Sequence, residues 1–413
     1  MTRSTAPRPR AGDPYGVGPV GSWIAPALSI VGLIVVALVT LTLLDGKAPF
    51  IGGAKGDGSG RGSGAGIGGP ARTATPPDVV LVPDITFPGS MVYAKAGNIW
   101  VQTGKDPRRL TNGGNDSMPS WSPDGTYVYF VRTIAEVGLW PSQRGDTRYD
   151  LTIPSVVRVK ADGSGEVEPV LNGRISKGTD TWFYWIRQPV VAPNGTTMAL
   201  VSDGPDPTRS DVVLQFYDLT NQKRSVPSLS ENSPLGHQDP AWRPDGMVLL
   251  YVRNGREGAR GAPIIYRWDV RSGRSGPLTG PGYLEPSFSP DGRYLAATKT
   301  SSYGNDIVIL DASSGRELSR VTNDGSSWAP VWSPTGDSIA FLHIDGQIVD
   351  LRLVKLDGAA PSWTVGKAVA LTELSGLDGA SRPGWFVPVN ELPVPIPASP
   401  GGGAPSAGSS AAP

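Results

Sequence analysis

A seven-residue pattern, Pro-x-Trp-Ser-Pro-Asp-Gly, recurs along the middle of this chain and constrains its fold more than any other feature. Clear copies begin at Pro119, Pro240, Pro286 and Pro330, with Phe replacing Trp in the third and Thr replacing Asp in the fourth. A weaker copy begins at Pro189, and residues 383–386 (PGWF) keep only the start of the pattern. Spacings of 44 to 70 residues between copies are typical of a repeat protein in which each copy builds one structural unit.

The pattern itself predicts a sharp turn between two strands. Proline presets the backbone for the second position of a type I turn, aspartate suits the third position and glycine the fourth. After each turn comes an apolar run without polar alternation, as at 127–131 and 248–252, which predicts a strand buried on both faces. Third and fourth strands follow, the fourth often ending in Leu-Thr, and four strands per repeat of this length indicate a propeller blade.

The two ends of the repeat region predict the blade count. One strand follows the sixth copy, whereas three strands at 91–94, 99–102 and 108–111 precede the first. One strand plus three makes a complete blade, so we predict an all-β, six-bladed propeller at 78–390 whose closing blade is shared between the N- and C-terminal ends.

The order Pro-x-Trp-Ser-Pro-Asp-Gly, strand, strand, Leu-Thr resembles the TolB-type propeller repeat over roughly residues 79–390. That repeat occurs in periplasmic TolB proteins and in the propellers of prolyl-oligopeptidase-like peptidases. The resemblance implies the fold and says little about function, because propellers host many activities.

Outside the repeats, the first 77 residues suggest a membrane tether. Residues 24–44 contain no charge over 21 positions, enough for a helix to cross a bilayer, and a cleaved signal peptide is the alternative. Residues 1–23 carry three arginines against one acid, which favours a cytoplasmic N-terminus. Residues 45–77 read as a flexible Gly/Pro-rich linker and 391–413 as a disordered Pro/Gly/Ala tail. We therefore expect a single-pass protein of a bacterial cytoplasmic membrane with its propeller outside the cytoplasm.

Composition and missing motifs narrow the function. Thirty-seven basic residues balance 37 acidic ones, which argues against a nucleic-acid partner, and the absence of cysteine excludes thiol chemistry and disulfides. No serine has glycine at both −2 and +2, so the hydrolase elbow is missing, as are phosphate-loop and common metal motifs. We expect no catalytic residue, metal or cofactor.

Two insertions in the first repeat interval are candidates for partner binding. Residues 133–153 enlarge the loop between the second and third strands of the first blade, and 173–188 enlarge its exit; both should lie on one face as neighbours. Aromatic residues with arginine are typical of interaction hot spots. The candidate residues are Trp140, Arg144, Arg148, Trp182, Phe183, Tyr184, Trp185 and Arg187. The alternative is that the Trp-Phe-Tyr-Trp run forms an additional buried strand.

The mouth of the central channel is a second candidate site, because residues just before each repeat proline should ring it on the same face. The candidates there are Asp116, His237, Asp239, Tyr283, Glu285 and Arg382. Two hypotheses follow. The chain is a non-enzymatic scaffold that binds an envelope protein or a cell-wall polymer, or it is a ligand-sensing or hydrolytic propeller that uses the channel.

Overall fold

Strands separated by short turns make up nearly all of the computed structural model, which describes residues 73–140, 147–178, 180–203, 212–227, 229, 236–254 and 262–392. The chain is all-β, as predicted. Three strands precede the first repeat: β1 (Ser90–Lys95), β2 (Asn98–Thr103) and β3 (Asp106–Arg109).

Each repeat then contributes an antiparallel blade, numbered here in chain order. Blade one contains β4 (Asp116–Trp121), β5 (Tyr127–Trp140), β6 (Thr147–Lys160) and β7 (Glu168–Asn172). A separate hairpin follows, formed by β8 (Arg174–Lys177) and β9 (Asp180–Phe183). Blade two contains β10 (Ile186–Val191), β11 (Thr197–Asp203), β12 (Val212–Asp218) and β13 (Lys223–Ser225). Blade three contains β14 (His237–Trp242), β15 (Val248–Arg253), β16 (Ile264–Asp269) and β17 (Ser275–Pro277).

The remaining blades have the same order. Blade four contains β18 (Tyr283–Phe288), β19 (Tyr294–Ser301), β20 (Gly304–Asp311) and β21 (Glu317–Arg320). Blade five contains β22 (Ser327–Trp332), β23 (Ser338–Asp345), β24 (Ile348–Asp357), β25 (Thr364–Val365) and β26 (Val369–Ala370), the last two both pairing with β24. The last strand is β27 (Gly384–Phe386).

Blade six closes the propeller by combining both ends of the repeat region. Strand β27 pairs with β1, with Met91 opposite Trp385, and the sheet order is β27-β1-β2-β3. The shared closing blade and the six-blade count are therefore confirmed. Such closure pairs the sheet edge that would otherwise be free at the seam.

The second strand of each blade lies in the core. In β15, Leu249 to Val252 are at most 1 % exposed, so both faces of that strand are covered by neighbouring blades. This explains why the sequence shows continuous apolar runs there rather than alternation.

The threonines that end the fourth strands have a structural role. Thr111, Thr279, Thr322 and Thr372 each accept a hydrogen bond through Oγ1 from a backbone N–H of the third strand, at 2.9 to 3.1 Å. All four are buried. A hydroxyl at this position satisfies an otherwise orphaned buried donor, so the recurrent Leu-Thr reflects folding rather than chemistry.

The residues before β1 pack along the junction of blades five and six. Thr75 donates its backbone N–H to Leu374 at 2.6 Å, and the buried Lys95 ammonium donates to Thr75 Oγ1 at 2.7 Å. Farther along, Val80 and Phe87 join the hydrophobic cluster of this junction. The entering chain is thereby fixed to the propeller from Thr75 onward.

One sequence prediction needs correction. Residues 133–140 and 147–153 do not form an enlarged loop but continue β5 and β6, which pair in register from Tyr127–Lys160 out to Trp140–Thr147. The β-branched and aromatic residues Ile134, Val137 and Trp140 favour this strand continuation. We call the hairpin of 133–140 and 147–154 the β-arm.

The predicted membrane span at 24–44, the preceding 1–23, the linker up to residue 72 and the tail from 393 lie outside the described residues. Within the part of the chain that the structure does describe, no helix has the length and apolar character needed to cross a membrane.

Candidate functional site

The inner strands of blades one to five share a bulge at the residue before the repeat proline. This residue has a left-handed backbone in every case, with φ of 51° to 54°. The five residues are Met118, Gln188, Asp239, Glu285 and Ala329. A left-handed backbone conformation costs energy at a non-glycine residue. Its occurrence at five equivalent positions therefore indicates that the surrounding structure imposes it. The bulge shifts the strand register at the same place in each blade.

A chain of hydrogen bonds links these bulges around the channel, and we call it the bulge ring. The N–H of Gln188 donates to Met118 Sδ at 3.4 Å, and the N–H of Asp239 donates to Gln188 Oε1 at 2.8 Å. The N–H of Glu285 donates to Asp239 Oδ2 at 3.2 Å, and the N–H of Ala329 donates to Glu285 Oε2 at 2.8 Å. Each side chain thus satisfies the bulge of the following blade.

Blade six completes the ring differently. Ser381 Oγ accepts the N–H of Met118 at 2.8 Å, which joins blade six to blade one. The methyl group of Ala329 has no acceptor to offer blade six, so the link between blades five and six is missing. Arg382 instead extends to blade four, where its Nη2 donates to the Pro286 carbonyl at 2.7 Å.

Three of the six predicted channel-mouth residues, Asp239, Glu285 and Arg382, therefore lie at the bulge ring. Glu285 also accepts the Thr298 hydroxyl at 2.7 Å. Burial, and next the negative charge of Asp239, raises the pKa of Glu285, whereas the Arg382 charge opposes this shift. Both oxygens of Asp239 accept bonds from protein donors, and both bonds to Glu285 go to its Oε2.

Of the other three predicted residues, Asp116 and Tyr283 bond within their own blades, and His237 bonds to blade two. Buried Asp116 forms a two-pronged ion pair with Arg132, with N···O distances of 2.7 and 2.8 Å. The hydroxyl of Tyr283 donates to Glu317 at 3.0 Å.

His237 is also a packing residue. Its Nδ1 accepts the Leu214 N–H at 3.1 Å, and its ring packs on Tyr251 with centroids 4.8 Å apart. Burial, assisted by the positive charge of Arg253, lowers the pKa of His237 to about 4, so the imidazole is neutral at pH 7.

The two insertions meet beside blade one, as predicted. Strand β9 packs against β5 of the β-arm, and Arg174 Nη2 lies 2.8 Å from Glu136 Oε1. A Cβ on Gly138 would lie 2.9 Å from the Thr181 carbonyl oxygen, so only glycine allows β9 to approach this closely.

The Trp-Phe-Tyr-Trp run combines both of the alternatives drawn from sequence. Trp182 and Phe183 lie in β9 and are half-buried, and Tyr184 is half-buried with the Arg224 guanidinium 4.5 Å from its ring centre. Trp185, in contrast, is 48 % exposed, and Arg187 is exposed.

Of the predicted residues in the first insertion, Arg148 is exposed in the β-arm opposite Leu139. Trp140 ends β5, but its side chain and all of Arg144 lie outside the described residues. Sequence reasoning missed Ile134, Val137 and Tyr149, which are 55 %, 53 % and 45 % exposed on the β-arm. The β-branched and aromatic residues of both segments, which favour strands, were the available indication.

The described structure is therefore a six-bladed propeller with a TolB-like fold. Among solved structures, TolB from Acinetobacter baumannii aligns with a TM-score of 0.51 and 17 % identity, covering 74 % of this chain and 68 % of that one. A putative TolB from Agrobacterium tumefaciens aligns with a TM-score of 0.51 and 18 % identity over 74 % of this chain and 95 % of that one. These likenesses concern the fold.

Sequence comparisons assign no family to the chain. No protein-family model matches the chain. An uncharacterized protein of Agrobacterium fabrum is 27 % identical over 284 residues, which cover 65 % of this chain and 80 % of the relative.

Proposed function

We propose that this chain is a membrane-tethered, extracytoplasmic propeller that acts without catalysis as a scaffold for an envelope protein or cell-wall polymer. The TolB-like fold supports a binding role in the envelope. The uncharged run at 24–44 supports the tether, and the linker composition supports a propeller held away from the membrane.

The observation that carries the proposal is the set of exposed apolar side chains on the β-arm and after β9. Ile134, Val137, Tyr149 and Trp185 are each between 45 % and 55 % exposed. Ile134 and Tyr149 share one face of the β-arm and Val137 lies on the other, so a partner would contact both faces. Exposed arginines, Arg148 and Arg187, accompany them. Aromatic and aliphatic side chains bordered by arginine have the composition of protein-binding hot spots.

The construction of this region also suits binding. The exposed side chains stand on or directly beside paired strands, and the Glu136–Arg174 ion pair joins the β-arm to the β8–β9 hairpin. A surface preorganised in this way loses little conformational entropy on association.

The arrangement of polar groups supports a role without catalysis. Within the described ranges, Ser327 Oγ contacts His343 Nδ1 at 3.1 Å and Asp324 Oδ1 at 3.0 Å, but Ser327 is completely buried. These three groups brace blade five where no substrate can reach the hydroxyl.

The proposal is tested by placing a photo-crosslinking amino acid at Val137 in the full chain, in its native membrane. Tyr303, which is 92 % exposed on the β19–β20 turn of blade four, is the matched control position. We expect an adduct from position 137 that is absent from position 303 and is lost in a Tyr149→Ala/Trp185→Ala variant. Identical adducts from both positions, or adducts that survive in the variant, would contradict a partner site on the β-arm.

A further inference from the structure

The central channel contains a cavity of about 320 Å³, bounded by the inner strands and by the bulge ring at one end. Five aromatic residues of the repeat pattern contribute to its wall: Trp121, Trp242, Phe288, Trp332 and Trp385. Its volume falls at the lower end of the range for small-molecule sites, and its mostly apolar wall with few polar groups is typical of them.

Among the described residues that line the cavity, Arg382 is the only one with a charged side chain. The ring acids Asp239 and Glu285 do not line it. Their oxygens accept bonds from Gln188 Nε2 and from the Thr298 hydroxyl, at 2.6 and 2.7 Å, as well as from ring N–H groups. The charge presented to the cavity is therefore positive.

Arg382 has hydrogen-bonding capacity to spare. A guanidinium has five N–H donors, and within the described part of the chain the Pro286 carbonyl is the acceptor that it meets. Nearby Glu285 accepts through Oε2 from the Thr298 hydroxyl and the Ala329 N–H rather than from Arg382.

We propose that the channel binds an organic carboxylate with an apolar or aromatic body, with the carboxylate at Arg382 and the body against the aromatic wall. A planar guanidinium matches the two oxygens of a carboxylate, and no side-chain carboxylate on the described wall repels it. The site is separate from the β-arm and extends the function proposed above to a small ligand or a carboxylate carried by a peptide.

The test uses calorimetric titration of the full chain at pH 7.5 with 3-phenylpropionate and with the uncharged 3-phenylpropanamide. We expect the acid to bind and the amide to bind at least tenfold more weakly, because a charge-assisted bond to arginine is lost. A second pair, acetyl-Ala-Phe as the free acid and as the amide, identifies whether a peptide C-terminus is the better source of the carboxylate.

Substitutions test whether the acid binds at Arg382. Arg382→Gln is expected to weaken acid binding at least tenfold, whereas Arg109→Gln, at an exposed arginine of the outer strand β3, leaves it unchanged. Arg382→Lys keeps the positive charge and removes the forked donor geometry, and we expect a smaller loss of two- to fivefold. This second variant gives a result even if Arg382→Gln does not fold. Equal binding of acid and amide, no binding by either acid, or unchanged binding in both Arg382→Gln and Arg382→Lys overturns the proposal.

Discussion

Gln188 and Asp239, which lie 51 positions apart in adjacent blades, form a reciprocal pair at the channel. Gln188 Nε2 donates to Asp239 Oδ1 at 2.6 Å, and the Asp239 backbone N–H donates to Gln188 Oε1 at 2.8 Å. One amide side chain thus satisfies both a buried carboxylate and a bulge N–H. This is the most tightly paired link of the bulge ring.

Replacing Gln188 with Ala should destabilise the propeller. Asp239 is 3 % exposed, so the variant leaves its carboxylate and N–H without these partners, at a cost of about 1–3 kcal/mol. Urea unfolding measures the loss. Gln238→Ala, which removes a half-buried amide that donates to Asn254 Oδ1 at 3.4 Å, is the control and should cost less than about 1 kcal/mol. Equal losses in both variants would show that the ring is not a stabilising unit.

The Asp116–Arg132 pair should contribute more than any exposed ion pair. Arg132→Met leaves a fully buried carboxylate unpaired, and we expect a loss of about 3 kcal/mol in the free energy of unfolding. Lys105→Met is the control, because the partner Asp84 has a side chain that is 90 % exposed, and the loss there should stay below about 1 kcal/mol. A loss in Arg132→Met no larger than in the control would contradict a structural role for this pair.

The bulge ring also shows where sequence reasoning ends. Strand positions, blade count and closure could be predicted because proline, aspartate and glycine have local turn preferences that repeat along the chain. The ring depends on left-handed φ angles at Met118, Gln188 and Glu285, none of which is a residue type that favours them. Its bonds join residues 44 or more positions apart, and no local pattern specifies such contacts.

The candidate sites were predictable to different extents. Propeller geometry predicted that the two insertions would contact each other. It did not predict that Trp182 is half-buried and Trp185 exposed, because this difference depends on the face of the β-arm against which β9 packs. Likewise, Asp239 and Glu285 could be placed near the channel, but the bonds that they accept from Gln188, Thr298 and the bulge N–H groups could not be read from residue types. Arg382 consequently faces a cavity without a carboxylate on its described wall.

His237 should make the protein less stable in mild acid. Burial lowers its pKa from 6.5 to about 4, so the unfolded chain binds a proton more readily than the folded one between these values. The free energy of unfolding should fall by up to about 3 kcal/mol as the pH decreases from 6.5 to 4. His237→Gln removes this part of the slope in denaturant titrations over that range. A variant that retains the full wild-type slope would assign the acid sensitivity to other groups.

Asp203 should make the protein less stable as the pH rises, which is the opposite of the effect of His237. Burial raises its pKa from 3.8 to about 7, which exceeds the lowering by the Trp185 N–H bond, so the folded protein holds its proton longer than the unfolded chain. Stability should be lost as the pH rises through 7, by up to about 4 kcal/mol. Asp203→Asn still offers an acceptor to the Trp185 N–H and removes this loss, so we expect it to gain stability relative to wild type between pH 5 and 8. A constant difference across that range would contradict the assignment.

A substitution at Gly138 should separate the β-arm from the β8–β9 hairpin while leaving the exposed residues unchanged. A side chain at this position would meet the Thr181 carbonyl oxygen at 2.9 Å and the Leu151 side chain at 2.3 Å, so Gly138→Val should force β9 away from the arm. Hydrogen exchange of the amides in β8 and β9 should accelerate at least tenfold, because a hairpin without packing is barely stable in water. Ala135→Val, at an exposed position of the same strand, adds the same bulk and should leave exchange unchanged.

If partner binding requires both hairpins, the photo-crosslink from Val137 should disappear in Gly138→Val and persist in Ala135→Val. Its persistence in both variants would show that the β-arm alone contacts the partner.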